Sequence, residues 1–377
     1  MKANLWRSIA TVFILLLPYA RTYAQATTSP VPLQYFGLHI HRADQGTAWP
    51  NVPFGSWRLW DAYVTWANIQ PASNVWDFSR LDRYVAMAQL TKVELLLTLA
   101  NTPQWAAARP LESSAYKPGN ASEPANIEDW RRYVKTLGER YKGKIRYYEI
   151  WNEPNIKHHF SGSIEKLVEL SCEASQILKS IDPLNKVVSP SATAGAKDHI
   201  DYLDRFLALG GRQCIDIVGH HFYVPNAGPE QMVPLIRQVK SVMSKNGIQN
   251  KPLWNTETGW WVANGDGTPE HAMITNGGWR KLSQSFDAGD YVFRAFLLGR
   301  AEGLDRFYWY SWDHRGGLGL TEATTGKIKG VDAKWREAVE LLSGSQSVSC
   351  SSSENVWQCT VSYPKKPSAR ITWMVND

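Results

Sequence analysis

The sequence lacks long apolar segments, apart from one run close to its start. The stretch "MKANLWRSIATVFILLLPYARTYA" has basic residues at Lys2 and Arg7, an apolar run through Leu17 and the small residue Ala24 at a plausible cleavage point. This run is too short to span a bilayer and is typical of a secretory signal peptide. We therefore predict a signal peptide over 1–24, with cleavage within a few residues of its end. The mature protein is expected to be secreted or periplasmic, without membrane contact.

A strong excess of charge is also absent. The formal net charge is +6, and half of it comes from Lys2, Arg7 and Arg21 of the predicted leader, which contains no acid. So small an excess gives no reason to expect nucleic acid or an acidic polymer as a partner. Aromatic residues, in contrast, are abundant, with 18 Trp and 16 Tyr. Many will pack in the core, but an exported chain rich in Trp suggests sugar binding, because aromatic faces stack on apolar sugar faces.

Cysteine is scarce, and its four residues are Cys172, Cys214, Cys350 and Cys359. An even number in an exported chain favours two disulfides, for which three pairings are possible. We favour Cys350–Cys359, which would close a short hairpin, and therefore Cys172–Cys214. No spacing among these residues is typical of a metal site, and nothing else in the sequence requires a metal or a cofactor.

Short apolar runs alternate with amphipathic helical stretches from residue 35 to about residue 342. This order indicates a parallel sheet covered by helices, and eight strand–helix units are the number in a (β/α)8 TIM barrel. We predict an α/β fold of this kind over 25–344. A doubly wound open sheet is the alternative, but no G-x-G-x-x-G motif follows the first strand. The predicted strands lie within 35–41, 56–63, 93–100, 146–155, 186–193, 215–223, 251–261 and 305–313.

The last part of the chain, 345–377, has a different pattern. It alternates in β fashion around turn residues and predicts two or three antiparallel strands. A segment of this length cannot bury an independent core. We expect a small C-terminal antiparallel β appendage that packs on the barrel.

Two glutamates stand at the ends of predicted barrel strands. Glu153 ends the fourth strand within "EIWNEPN", and Glu257 ends the seventh within "WNTETGW". The C-terminal ends of barrel strands carry the chemistry of this fold, so both carboxylates should face one mouth. Glycoside hydrolysis needs such a pair, one carboxyl protonated to release the leaving oxygen and one ionised to attack the anomeric carbon. Pro154 would fix the turn after the acid, and Asn152 would offer an amide to a sugar hydroxyl.

These motifs resemble those of clan A glycoside hydrolases, in which the acid/base glutamate follows Asn on strand four and the nucleophile glutamate ends strand seven. "TPQW" (102–105) and "HHFY" (220–223) agree with this resemblance. Within the clan, "WANIQPASNVWDFSRLDRYV" (66–85) resembles glycoside hydrolase family 39 and its bacterial exopolysaccharide hydrolases of the Psl type more than the cellulases of family 5. The resemblance covers nearly the whole mature chain, through residue 313.

The resemblance implies retention through a glycosyl-enzyme intermediate, with Glu153 as acid/base and Glu257 as nucleophile. Asn152 would bind the sugar 2-hydroxyl, Tyr223 would donate to Glu257, and Arg58 would lie under the nucleophile. A Trp of strand eight would form the sugar platform, and both Trp309 and Trp312 are candidates. The further substrate-binding candidates are His39, His41, Trp105 and His221.

Other polar and aromatic residues have simpler interpretations. Glu149 is predicted to be structural, with a buried partner, and the pair His158-His159 to be a solvated part of a loop. We expect four Trp residues to serve packing: Trp57, Trp60, Trp66 and Trp76.

Three functions remain open on the sequence. The favoured one is an endo-acting hydrolase of an exported polysaccharide, for which the chain would act as a monomer. An exo-acting β-glycosidase such as a xylosidase would differ in cleft shape, and the loops 101–126 and 261–289 are long enough for an open groove or a lid. A non-catalytic sugar-binding protein is the third, although a pure binder has no need of paired acids.

Overall fold

The computed structural model describes residues 30–284 and 287–375. The predicted signal peptide therefore lies outside the described residues. Within these ranges no helix is both long enough and apolar enough to cross a bilayer.

Strands and helices alternate through most of the described chain. The strands are Phe36–His39 (β1), Ser56–Leu59 (β2), Glu94–Leu99 (β3), Tyr147–Ile150 (β4), Lys186–Val188 (β5), Ala192–Thr193 (β6), Val218–His221 (β7), Leu253–Thr258 (β8), Trp261–Val262 (β9), Lys281–Leu282 (β10), Arg306–Trp309 (β11), Ser347–Ser353 (β12), Val356–Ser362 (β13) and Ala369–Met374 (β14). The α-helices are Trp66–Ile69 (α1), Ser79–Thr91 (α2), Ile127–Arg140 (α3), Ile164–Ile181 (α4), His199–Phe206 (α5), Arg212–Cys214 (α6), Met232–Lys245 (α7), Ala272–Thr275 (α8), Asp287–Ala301 (α9) and Asp332–Leu342 (α10). Short 3-10 helices cover Leu33–Tyr35, Gln104–Ala106 and Pro229–Gln231, and a π-helical segment covers Leu207–Gly211.

Nine of these strands form one parallel sheet in the order β5-β4-β3-β2-β1-β11-β8-β7-β6. Its two ends belong together, because β5 and β6 are halves of one strand position, interrupted around Pro190. A parallel bridge between Val188 and Ile217 links β5 to the start of β7. The sheet thus has eight strand positions around a TIM-barrel-like fold, and the predicted α/β fold is confirmed.

The outer helices have the amphipathic spacing and the caps that their sequences predict. In α3, the Asn126 side chain accepts a hydrogen bond from the Glu128 backbone N–H, and in α4 the Ser163 side chain accepts one from Lys166. Such caps satisfy backbone donors that the first turn leaves free. The apolar faces of these helices then bury large side chains against the outside of the sheet, among them Trp130 and Leu167.

The barrel interior is divided into an apolar and a polar level. The lower level is a cluster of Leu96, Val188, Ile217, Trp254 and Tyr308. Above it, at the C-terminal ends of the strands, polar side chains point inward, each under 3% exposed: Arg58, Thr98, Glu149, Ser191 and Thr256. Buried polar groups require partners, so this level has to form a connected network.

The C-terminal strands β12, β13 and β14 form a separate antiparallel sheet, as predicted for 345–377. Cys350 pairs with Cys359 across β12 and β13, and Cys172 on α4 pairs with Cys214 on α6, so both favoured disulfides are present. Trp373 on β14 donates through Nε1 to Glu230 at 2.8 Å, which anchors this sheet to the barrel.

Candidate active site

Arg58 is the centre of the polar level of the barrel. It extends from β2 and is fully buried. Its Nε donates to Glu149 at 2.7 Å, Nη1 to Glu257 at 2.8 Å and Nη2 to the Oδ1 of Asn152 at 2.7 Å. One planar guanidinium therefore fixes three side chains from β4, its following turn and β8, a task that suits the fork of donors in Arg.

Glu149 is the structural carboxylate that the sequence predicts, with Arg58 as its buried partner. Thr98 donates to Glu149 Oε2 at 2.9 Å, and Ser191 donates to Oε1 at 2.6 Å. Thr256 in turn donates to Ser191 at 2.8 Å. Both oxygens of Glu149 are thus occupied, so this carboxylate supports the site from below.

Glu153 stands at the mouth of the barrel on a turn with unusual backbone angles. Trp151 and Glu153 have φ of 63° and 45°, in the left-handed region that non-glycine residues rarely adopt. The Glu153 N–H donates to Ser191 O at 2.9 Å, which holds the turn against the end of the fifth strand position. Backbone strain of this kind is concentrated at functional sites, because surrounding contacts must enforce it.

The two predicted catalytic carboxylates lie together. Single ligand atoms of Glu153, His221 and Glu257 all fall within 4.8 Å of one another. The side chains of Glu153 and Glu257 are 13% and 8% exposed, so both reach the mouth of the barrel and neither is sealed under the sheet.

The partners of the two carboxylates differ. Glu257 receives Arg58 on Oε2 and the Tyr223 hydroxyl on Oε1 at 2.9 Å. Glu153 is 3.0 Å from Nδ1 of His221 and 3.5 Å from Nδ1 of His159. Burial, followed by the charge of Arg58, keeps the pKa of His221 well below its ordinary value, so His221 is neutral. Glu257 therefore has a permanent cation beside it, and Glu153 has none in contact.

These surroundings raise the pKa of both carboxyls. Burial raises the pKa of Glu153. Burial also raises the pKa of Glu257 well above its ordinary value, and the charge of Glu153 adds to this rise, whereas the charge of Arg58 and the Tyr223 hydrogen bond oppose it. Two adjacent carboxyls share one proton near neutral pH, and the guanidinium favours the charged form of Glu257. The contact with Arg58 makes Glu257 the carboxyl of the pair that is better suited to carry the negative charge.

The cluster of Glu153, His221 and Glu257 has the donor atoms that a divalent cation could use. The positive Arg58 lies 2.8 Å from one oxygen of Glu257, and Tyr223 donates to the other. A cation at this point would meet the guanidinium charge and would have to displace both donors. The donor set suits a proton-sharing carboxyl pair better than a metal.

A cavity of about 520 Å³ lies at the barrel mouth and is lined mostly by residues that follow β1, β2, β3 and β11. Glu153 and Glu257 are not part of its lining, but the charge of Asp61 in its wall acts on both. Tyr310 forms part of its wall. Burial raises the Tyr310 pKa well above its ordinary value, and the charges of Asp61 and Glu257 add to this. A second cavity of about 310 Å³ shares Arg42 and Arg315 with the first. The volumes are in the usual range for ligand pockets.

Three further predicted residues occupy different surroundings. His41 is buried and lines the larger cavity, and its Nε2 has no hydrogen-bond partner among the described residues. His39 is fully buried behind the wall, with Nε2 3.0 Å from Thr256 O. Trp105 is half-buried, donates to Gln70 O at 2.9 Å and lines neither cavity. Of these three, His41 is the one that a cavity ligand would reach directly.

The sugar platform was predicted on the last barrel strand, which is β11, and three aromatic residues at its end occupy different surroundings. Trp309 is fully buried against Trp260, with ring centroids 5.3 Å apart. Trp312 is buried and lines the smaller cavity, whereas Tyr310 lines the larger one. The aromatic ring of this strand that borders the larger cavity is therefore Tyr310, which sequence reasoning passed over between two Trp candidates.

The structure also qualifies the simpler interpretations. His158 is exposed as expected, but His159 is only 18% exposed and approaches Glu153. Trp57 and Trp66 pack in the core, and Trp60 is buried yet also borders the larger cavity. The prediction of a solvated pair was therefore wrong for His159; its position directly after the active-site turn was the available signal.

Known proteins with a similar structure include several family 39 enzymes. A family 39 glycoside hydrolase from Bacteroides cellulosilyticus WH2 superimposes with a TM-score of 0.70 at 16% identity, covering 92% of this chain and 71% of that one. The family 39 enzyme from Xanthomonas axonopodis pv. citri gives 0.65 at 18% identity, covering 93% and 78%. A monomeric β-xylosidase from Caulobacter crescentus CB15 gives 0.65 at 18% identity, covering 89% and 74%. At these identities the likeness establishes the fold.

Sequence comparison adds the family. A β-xylosidase from Caldicellulosiruptor saccharolyticus is 31% identical over 113 residues, which are 28% of this chain and 22% of that protein. The match thus spans under a quarter of the relative's length. Residues 57–279 match the model for glycosyl hydrolases family 39, and this range includes Arg58, Glu153 and Glu257. The chain belongs to glycosyl hydrolases family 39.

Proposed function

We propose that this family 39 glycosidase is an exported, retaining, endo-acting hydrolase of a polysaccharide, with Glu153 as acid/base and Glu257 as nucleophile. The observation that supports this most directly is the close pair of carboxylates with unequal partners. In retaining enzymes the two carboxyl groups are about 5–5.5 Å apart, whereas inverting enzymes separate them by about 6.5–9.5 Å to admit a water. Oxygens within 4.8 Å of each other agree with the retaining arrangement.

In the first step, Glu257 attacks the anomeric carbon and Glu153 gives its proton to the departing glycosidic oxygen. The carbon–oxygen bond to the leaving sugar breaks, and a glycosyl ester to Glu257 forms. Arg58 and Tyr223 keep Glu257 ionised and aim its oxygens. As the charge on Glu257 passes into the ester, Glu153 no longer has a like charge beside it, which favours its ionised form.

In the second step, Glu153 acts as the base. It takes a proton from water, the water oxygen attacks the anomeric carbon, and the ester to Glu257 breaks. His221 remains neutral and orients Glu153 through Nδ1. Asn152 has its Oδ1 held by Arg58, which directs the amide Nδ2 to a sugar hydroxyl.

The cleft dimensions support endo action. An exo-acting enzyme needs a pocket that ends at one sugar unit, whereas here two cavities adjoin at Arg42 and Arg315. A polysaccharide with several sugar units in the cleft would use both, with His41, Tyr310 and Trp312 as contacts. A bacterial exopolysaccharide, such as a biofilm matrix component, is the proposed substrate class, and the predicted signal peptide agrees with it.

An exo-acting β-xylosidase is the second candidate. It is favoured by the name of the Caldicellulosiruptor saccharolyticus relative, which is a β-xylosidase. The two candidates differ in products, because an endo enzyme releases oligosaccharides early and an exo enzyme releases monosaccharide from the start.

The test is reducing-end release from a panel of xylan, β-glucan, mannan and bacterial exopolysaccharides, with product masses followed over time. Wild type should release oligosaccharides from one panel member, and Glu257→Gln should be slower by at least about a thousandfold. Equal behaviour of the two proteins would refute catalysis by Glu257 and favour a sugar-binding role. Early release of xylose alone would favour the exo-acting candidate.

A further inference from the structure

Asp61 is a carboxylate in the wall of the larger cavity that bond cleavage does not use. It follows β2 by two residues and has φ of 54°, in the left-handed region. The turn places its side chain half-buried among the cavity residues. Asp and Asn adopt this backbone more readily than other non-glycine residues, so the side chain at this position is held at a moderate cost.

Two tyrosines from distant parts of the chain hold the Asp61 carboxylate. Tyr116, from the segment between β3 and α3, donates to Oδ1 at 2.9 Å, and Tyr310 donates to Oδ2 at 2.6 Å. Each oxygen of a carboxylate has room for two donors, so one acceptor position on each oxygen remains. In the described part of the chain, no Lys or Arg forms an ion pair with Asp61, so a structural salt bridge does not account for it.

His41 supplies an independent observation in the same cavity. It is 3% exposed, and its Nε2 is buried without a hydrogen-bond partner. Burial is the main cause that lowers the pKa of His41, so the ring is neutral and can exchange one hydrogen bond with a ligand. A buried polar atom without a partner costs free energy, which a bound hydroxyl would recover.

We propose that Asp61 is a specificity-determining residue, which accepts hydrogen bonds from two neighbouring hydroxyls of the sugar unit in this cavity, with His41 contacting a third polar group. The proposal rests on the proposed function, because it assumes a glycan in the cleft. It also names the class of sugar. The sugar unit in the cavity has two adjacent hydroxyls that are free, because an O-acetyl group has no proton to donate. It has no acid group at this point, because a uronate or sulfate would face the negative charge of Asp61.

The charge of Asp61 reaches the catalytic pair as well. Burial is the largest cause of the raised pKa values of Glu153 and Glu257, and the charge of Asp61 is a smaller cause that acts in the same direction. A sugar that binds to Asp61 would therefore sit next to the reacting carboxyls. Loss of this contact should therefore lower kcat/KM, and its effect should not be limited to the affinity for a remote part of the polysaccharide.

The experiment compares wild type, Asp61→Asn and Glu354→Gln on the panel polysaccharide that wild type cleaves fastest, before and after chemical O-acetylation. Asn keeps the left-handed backbone and one acceptor. Glu354→Gln is the matched control, because Glu354 is an exposed carboxylate with φ of 53° in the turn between β12 and β13. Asp61→Asn should lower kcat/KM about 10- to 100-fold, the effect of one or two charge-assisted hydrogen bonds. The control should match wild type.

Acetylation tests the proposal without relying on a variant that might misfold. Wild type should lose at least about tenfold in kcat/KM on the acetylated polymer, and calorimetric binding of the same polymers to Glu257→Gln should weaken in parallel. The Asp61 proposal alone would be overturned if wild type is active and Asp61→Asn has the same kcat/KM. Equal wild-type rates on the acetylated and the untreated polymer would overturn it in the same way. A wild type that neither cleaves nor binds any panel member would overturn the proposed function together with it.

Discussion

Replacing Arg58 by Met should destabilise the protein by about 3–5 kcal/mol near pH 7.5, the usual cost of removing one partner from a buried ion pair. Arg58 is fully buried and contacts two carboxylates, Glu149 and Glu257, at 2.7 and 2.8 Å. Met fills much of the volume of the Arg stem, so the loss should come mainly from the charges. Activity should fall as well, because Glu257 and Asn152 lose the donor that positions them.

The pH dependence separates charge from packing. Without the guanidinium, the buried carboxyls bind protons more tightly in the folded protein than in the unfolded chain, where the pKa of Glu is about 4.3. A carboxyl with a raised folded pKa loses folding stability as pH rises above the unfolded value. The deficit of Arg58→Met relative to wild type should therefore be larger at about pH 7.5 than at about pH 5.

Urea unfolding followed by Trp fluorescence measures both free energies. The matched controls are Arg58→Lys, which keeps a charge but cannot reach three acceptors, and the double variant Arg58→Met/Glu149→Gln. The double variant should recover about 1–3 kcal/mol, because it removes one of the stranded charges while Thr98 and Ser191 still contact the side chain. An equal deficit at both pH values, with no recovery in the double variant, would refute the electrostatic reasoning.

Two other perturbations address Glu257 and the donor cluster. Tyr223→Phe removes the hydroxyl that donates to Glu257 at 2.9 Å, so kcat should fall about 10- to 100-fold. The acidic limb of the pH–rate profile should move to higher pH, because this hydrogen bond lowers the pKa of Glu257. Tyr202→Phe is the control, because the buried Tyr202 hydroxyl has no hydrogen-bond partner within 30–284 and 287–375. An acidic limb that does not move in Tyr223→Phe would contradict the assignment. Dialysis against EDTA should leave the rate unchanged, because Arg58 and Tyr223 occupy the oxygens of Glu257 that a metal would need; a loss restored by Zn²⁺ or Ca²⁺ would refute this.

The sequence was sufficient for the barrel and for the pairing of Glu153 with Glu257. Both follow from topology, because parallel strands bring their C-terminal ends to one face wherever the strands begin. The contacts of Tyr223 and Arg58 with Glu257 were predicted on the family resemblance, and both are present. The three possible pairings of the four cysteines could also be ranked, because the separation of 9 residues between Cys350 and Cys359 suits a hairpin.

The rest of the site depends on details that a pattern of residues does not determine. The stretch 56–63 was predicted as one strand, but β2 ends at Leu59, and the left-handed turn at Asp61 directs that side chain into the cavity. A shift of one residue in strand register reverses the side of the sheet on which a side chain lies. This alternation separates Tyr310 from Trp309, whereas Trp312 lies beyond the end of β11, and no composition or spacing signal distinguished the three.

Charge counting gives a reason for the proposed roles that does not depend on the N-E-P motif. Three glutamates, Glu149, Glu153 and Glu257, surround a single Arg58 at the barrel mouth, and a poorly hydrated site disfavours two uncompensated charges. Glu149 has the guanidinium and two hydroxyl donors, and Glu257 has the guanidinium and Tyr223. Among the described residues, the partners of Glu153 are two imidazoles, of which His221 is neutral, and the side chain of Thr193. We therefore expect the proton on Glu153, where the proposed mechanism needs it for leaving-group departure, and moving a cation next to Glu153 should invert the preference.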